Sequence, residues 1–298
     1  MTTTNKPKMG RHDRQDRIYL KDLDSMHVIM PFVMPRRTDN EAVLDEVFDI
    51  TAVNEYIAKK NAQEGVDFKY TWFHVVAAAL AKVMVLRPKM NWFLGSDGRF
   101  YAHRNIELSF NVKRTFEDES EEAIAKIVID RDGEAPIEQV HSYVRSFVNM
   151  VRKENKTEST TDKMNILCKL PHWVLRFIFW VFDRLEYHGR YPKSLMVDDP
   201  RYCSVYISNL GSIKMNADYH HLYEKGTVSF FCVINEKKMR PVYKEDGTYE
   251  MKDTLKLGLT IDERIADGYY FAKSLRLLRV LLANPELLDK PINTPVEY

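Results

Sequence analysis

Asp262, Glu263 and Arg264 directly follow an alternating run, Leu257, Leu259 and Ile261, and Asp267-Gly268 come next, ahead of an apolar-periodic stretch. The alternation suits a half-buried strand. Phe271, Leu275, Leu278 and Leu282 at helical spacings, with Gly268 before them and Pro285 after, predict a helix. Acidic side chains in a turn between strand and helix are candidates for proton transfer. A carboxylate at its reference value of about 4.3 is a weaker base than imidazole at about 6.5. Glu263 therefore serves as a general base only where burial raises its pKa to roughly 6 or 7, and Arg264 beside it pulls the other way. The other role open to Glu263 is a turn carboxylate paired with Arg264. His220 and His221, in Tyr219-His-His-Leu-Tyr223, are alternative bases. Adjacent side chains on an extended segment point opposite ways, so at most one of the two faces a site. Neither has a His, Cys or carboxylate cluster at ligand spacing, so no metal is implied.

Asp262-Glu-Arg-Ile-Ala-Asp267-Gly268 resembles the D-H-R-x-x-D-G signature of the dihydrolipoyl acyltransferase catalytic domain, and the H-x-x-x-D-G core of its relative chloramphenicol acetyltransferase. Where that family has a histidine base, this chain has Glu263. Ser204-Val-Tyr-Ile-Ser208-Asn209-Leu210-Gly211 resembles the family's F-T-I-S-N-L-G strand and turn, in the family's order and at about its separation. Thr71 to Asn91 is similar to the Ala-rich helix running into P-x-x-N, and Val43 to Val53 to the first strand and helix start. The resemblance spans roughly residues 25 to 288, interrupted by an insertion at about 155 to 200. It implies that Ser208 hydrogen-bonds the oxyanion of a tetrahedral intermediate and that Asp267 is a structural support shaping the turn. From the residues alone, Ser208 is equally a strand-end serine capping its turn with Asn209. The resemblance also implies a homotrimer whose sites lie between subunits, base and serine coming from different chains.

Those residues need a scaffold, and the chain alternates helical and strand signals throughout. The expected fold is α/β, an α+β two-layer sandwich of chloramphenicol acetyltransferase type with helices packed on a mixed sheet. Residues 1–24 are expected to be a flexible arm, with a short helix around Asp16 to Leu23 as an option. Residues 25–298 are expected to be a single domain. Met30-Pro-Phe-Val-Met-Pro35 reads as an extended edge segment, because two prolines disfavour a helix interior or central strand. Leu44 to Ile50 reads as a strand, Thr51 as the cap of a helix to about Asn61, and Thr71 to Leu86 as a helix buried on nearly every side. His74 on that helix reads as a core or boundary histidine. Ile106 to Val112 and Ile124 to Ile129 are strands around the acidic turn Glu117 to Glu122. Ile137 to Val151 is an amphipathic helix, and Lys153 to Lys163 a polar linker. Arg201 to Ile207 and Thr227 to Ile234 are strands, and Glu245-Asp-Gly247 is a hairpin turn. Ile166 to Phe182, apolar but broken by Pro171 and Arg176, fits a helix packed on the domain or a neighbouring subunit, a lid over an acyl pocket, or an interfacial membrane helix. It is too short and interrupted for a transmembrane segment.

The 298 residues, 45% hydrophobic, suffice for a sizeable core. The 44 Lys and Arg against 43 Asp and Glu leave a formal charge of +1, with basic residues scattered, which gives no general reason to expect nucleic acid or anionic membrane as a partner, and no nucleic-acid partner is expected. Three cysteines, Cys168, Cys203 and Cys232, show no paired spacing, and with no export signal in Met1 to Asp24 three free thiols in the cytoplasm are expected. Twenty-four arm residues hold neither a lipoyl domain nor a partner-binding domain, so a stand-alone enzyme with acyl-CoA as co-substrate and no permanently bound cofactor is expected. Its acceptor is a small molecule of unidentified kind. The competing expectation is a catalytically silent trimeric relative acting as a binding or scaffolding module.

Overall fold

The computed structural model describes residues 10, 12–113, 122–153, 169–197 and 199–298. Along the chain the elements are β1 (Arg17–Tyr19), α1 (Ser25–Val33), β2 (Glu41–Asp49), α2 (Thr51–Asn61), α3 (Trp72–Leu86), β3 (Trp92–Leu94), β4 (Phe100–His103), β5 (Ile106–Lys113) and β6 (Glu122–Ile129). After them come α4 (Pro136–Lys153), α5 (His172–Tyr187), α6 (Lys193–Met196), β7 (Val205–Asn209), β8 (Phe230–Ile234), β9 (Lys238–Tyr243), β10 (Tyr249–Asp262) and α7 (Gly268–Ala283). The acidic turn 117–121, most of the linker 153–163, the start of the apolar insertion, and Cys168 lie outside the described residues.

A seven-stranded sheet runs β2-β10-β8-β7-β5-β6, with β9 added on β10. The β5–β7 and β7–β8 pairs are parallel, and the other neighbours are antiparallel. Leu257, Leu259 and Ile261 of β10 and Val205 and Ile207 of β7 point to one face, as their alternation dictates. There they join Val75 to Ala81, Val83 and Met84 of α3, Val140 and Val144 of α4, and Leu277, Leu278, Leu281 and Leu282 of α7 in the main core. On the opposite face, Tyr206, Phe231 and Val233 form a smaller core with Leu222, under a crossing segment that includes Ala217. That segment approaches so closely that a Cβ on Gly258 would meet Asp218 O at 2.1 Å. The chain thus has the two-layer, mixed-sheet architecture expected. A second sheet, β1-β4-β3, stands beside it.

Two expectations fail. Part of the arm is ordered on the body: Arg17–Tyr19 form β1, paired antiparallel with β4, and Arg17 is buried, bound to Glu186 at 2.9 Å. A polar stretch is held there by charge, which hydrophobic patterning does not register. Met30 to Pro35 is largely helical, since α1 contains Pro31. Asp24 caps α1 by accepting from His27 N at 3.1 Å, and Pro31 lies in the last turn of a nine-residue helix, where its missing N–H forfeits a single bond.

The insertion supplies α5, tied to the body at its C-terminal end by Glu186, which also accepts from the Tyr202 hydroxyl at 3.3 Å. Its other side stays open: Trp173 is 73% exposed, and Phe177, Phe179 and Trp180 are exposed too, as is Phe32 of α1. Among the described residues no helix is long and apolar enough to cross a membrane.

Candidate active site

Ser208 stands near the end of β7, half-buried. Parallel pairing with β5 is formed through Phe110 and Ile207, and beyond it both strands continue, to Lys113 and Asn209. A cleft of about 340 Å³ opens there, lined by Ser208 together with Phe73, Phe110, Val112, Val144 and His74. The lining mixes apolar side chains with polar ones, among them Thr71, Asn111, Lys113 and Asn209, so it offers both an apolar surface and hydrogen-bonding groups to a small molecule. On its wall the Tyr206 hydroxyl donates to Asn111 Oδ1.

His74 is 2% exposed. It sits at the third position of α3, where its Nδ1 accepts from the Thr71 backbone N–H at 3.0 Å, closing a capping box with histidine in the place usual for Glu or Gln. Burial, reinforced by nearby His141, pushes its pKa down to about 3, so the imidazole is neutral.

Glu263 lies at another corner. It begins a one-turn 3₁₀ segment after β10, its backbone N–H bonds Asn40 O at 3.0 Å, and its side chain is exposed. Arg264 is not its partner: the guanidinium grips Asp262 through Nε–Oδ1 and Nη2–Oδ2 bonds, both 2.8 Å. Asp262 is fully buried and has a second cation, Arg37, at 3.4 Å. Arg37 in turn donates to the carbonyls of Tyr223, Leu94 and Gly226, and burial lowers its pKa despite Asp262 beside it. Glu263 therefore rides on a clamped, buried ion cluster. Asp267 is exposed and caps α7, accepting from Tyr270 N at 2.8 Å.

The two histidines diverge as adjacent extended residues must. His220 stacks on Phe231, ring centroids 4.2 Å apart. His221 is exposed and bonds through Nδ1 to Glu41 Oε2 at 2.8 Å. Glu41 is the strand partner of Asp262, so His221 shares the corner of Glu263.

One chain does not bring Glu263 and Ser208 together. Ser208 is level with Val233 of β8, whereas Asp262 N bonds Ser229 O, four residues away along that strand. With two strand spacings across, the backbones are roughly 16 Å apart. Glu263 is not in the Ser208 cleft. Among the described residues no group of three His, Cys, Asp or Glu is arranged to hold a metal.

Residues that patterning did not single out are Arg37, Glu41 and His74 as a cleft residue. The Thr71-x-x-His74 spacing was the available signal for the last.

Residues 189–289, which contain both motifs, match the family 2-oxoacid dehydrogenases acyltransferase (catalytic domain). Among solved structures, the chain is similar to the dihydrolipoamide acetyltransferase of Azotobacter vinelandii, at 14% identity over 91% of this chain and 94% of that one, with a TM-score of 0.59. A probable dihydrolipoamide acetyltransferase from Listeria monocytogenes gives 15%, 93%, 98% and 0.55. A chloramphenicol acetyltransferase gives 8%, 89%, 99% and 0.54. No curated protein matches the sequence. The fold is the chloramphenicol acetyltransferase-like fold, and over 189–289 the sequence resembles its acyltransferase catalytic domain.

Proposed function

We propose that the protein is an acyltransferase that moves an acyl group from a coenzyme A thioester to a small acceptor, in a site shared between copies of the chain. The observation that carries this is Ser208, held near the end of β7 on the wall of a cleft and within a matched acyltransferase segment. The acceptor's heteroatom attacks the thioester carbonyl carbon while a base takes its proton. The oxygen becomes negative and accepts from the Ser208 hydroxyl. The C–S bond then breaks, and the proton passes from the base to the leaving CoA thiolate.

Glu263 is the proposed base, presented by the next subunit of a homotrimer. Its exposure in a single chain and the roughly 16 Å between backbones both fit a site completed by a second copy. A neighbouring apolar wall would also remove Glu263 from water and raise its basicity. Asp267 supports the turn as a helix cap. His221, oriented by Glu41, is the alternative base at the same corner. A silent trimeric relative acting as a scaffold is the second reading, favoured by Glu263 lying exposed and outside the Ser208 cleft of its own chain.

The test is CoA release from acetyl-CoA with thiol, amine and hydroxyl acceptors. Glu263→Gln is expected to lose about 10² to 10⁴ in rate with the fold intact, and Glu263→His to keep or raise the rate. Turnover untouched by Glu263→Gln would move the role to His221 or His220, and equal background rates in all three proteins would favour the scaffold.

A further inference from the structure

We propose that His74 is a second hydrogen-bond donor of the Ser208 cleft, offering its Nε2–H to the carbonyl oxygen of an acyl group bound there. The inference rests on the acyl-transfer reading of that cleft and adds a residue to it.

The tautomer follows from the cap. A backbone N–H can only donate, and that of Thr71 points at Nδ1, so the proton of a neutral imidazole is on Nε2. The Thr71 hydroxyl lies 2.9 Å from the same Nδ1 and leaves it no free capacity. Nε2 is buried and has no hydrogen-bond partner. The rings around the imidazole are those of Phe68, Tyr70, Phe73 and His141, with centroids between 5.3 and 6.1 Å from its own. His141 uses its own Nε2 on Phe68 O at 2.8 Å. A buried donor left unmade is costly and rare in native proteins. His74 is among the residues that line the cleft with Ser208, so an acceptor that enters the cleft and parts the rings over Nε2 can complete it.

The chemistry of the donor selects the ligand. A neutral N–H suits an uncharged carbonyl in the ground state and bonds more strongly as that oxygen turns negative. His74 cannot act as the base, since Nδ1 is occupied and Nε2 already carries its proton.

The experiment uses the full chain labelled with ¹⁵N-histidine. The His74 signal is assigned by its loss in His74→Asn, and two probes are titrated: acetyl-CoA and S-ethyl thioacetate, a thioester small enough for the cleft. Asn keeps an acceptor for the Thr71 N–H but has no donor at the Nε2 position, whereas His74→Gln reaches that position with an N–H. Expected are a thioester-induced shift of the His74 Nε2–H, about tenfold weaker binding in His74→Asn, and affinity within about threefold of wild type in His74→Gln. CoA itself, which lacks the thioester carbonyl, should leave the signal in place. A response to the small thioester without any response to acetyl-CoA upholds His74 while removing coenzyme A from the proposed function. An Nε2–H unmoved by either thioester overturns the proposal, as does wild-type affinity in His74→Asn. If neither variant folds, the His74 signal is assigned by elimination and the wild-type titration decides alone.

Discussion

Asp262 differs from its neighbour Glu263 in what surrounds it, and that difference decides which of the two holds the turn. Asp262 is in ion contact with both Arg264 and Arg37, all three side chains being almost wholly buried. Removing one member of such a cluster leaves uncompensated buried charge, so Asp262→Ala is expected to lose about 3–5 kcal/mol in chemical denaturation. Glu263→Ala, at an exposed position, is expected to stay within about 0.5 kcal/mol. A large loss in Glu263→Ala would show that the carboxylate is structural. Two histidines carry a second prediction. His74 and His103 are each pushed down to about 3, mainly by burial. Above about pH 6.5 both are neutral, folded or unfolded. As the pH falls toward 3 only the unfolded chain takes up the protons, so stability falls by about 1.4 kcal/mol per pH unit for each. His103→Gln, which can still donate toward Thr227 O, should give a shallower loss of unfolding free energy between pH 6.5 and 4.5 than wild type.

The crossing segment above the small core owes its position to an absence. Gly258 in the middle of β10 leaves room for the Asp218 carbonyl, and the segment is then pinned by Ala217 N to Asn235 Oδ1 at 2.7 Å and by Leu222 N to Glu41 Oε1 at 2.6 Å. A methyl group at 258 meets backbone, which cannot swing aside as a side-chain tip could. Gly258→Ala is therefore expected to cost about 1–3 kcal/mol and to release His221 from Glu41. Both effects are visible in thermal unfolding and in the exchange rates of the amides around Leu222. An unchanged melting temperature with protected amides would mean the segment accommodates the methyl group.

At the level of the assembly, the proposed homotrimer predicts a mass of about three times 35.1 kDa by light scattering at micromolar concentration. A clean monomer would remove the shared site. Trimers also permit complementation. Ser208→Ala and Glu263→Gln chains, each inactive alone, are expected to regain activity when unfolded together and refolded as mixed trimers. With random mixing about a quarter of the interfaces would carry both intact residues. No recovery in verified mixed trimers would place Glu263 and Ser208 in separate roles.

Local pattern was enough for the strand-turn-helix around Asp262 to Gly268, for the buried α3, and for the mixed sheet, because alternation and helical spacing are properties of neighbours along the chain. The Ser208 and Asp267-Gly268 motifs were legible by resemblance to the acyltransferase family, since each is a short contiguous run. Long-range charge pairing was not. Arg17 held by Glu186, Arg37 reaching Asp262, and His221 held by Glu41 each join residues more than 160 positions apart, and no periodicity encodes such a pair. Pro31 in α1 shows the converse, a local rule outvoted because the lost bond falls in the last turn of a capped helix. His74 lay between the two cases: its cap was written in the Thr71-x-x-His74 spacing. That it lines one cleft with Ser208 is decided only by the tertiary structure, which brings the end of β7 and the first turn of α3 to the same opening.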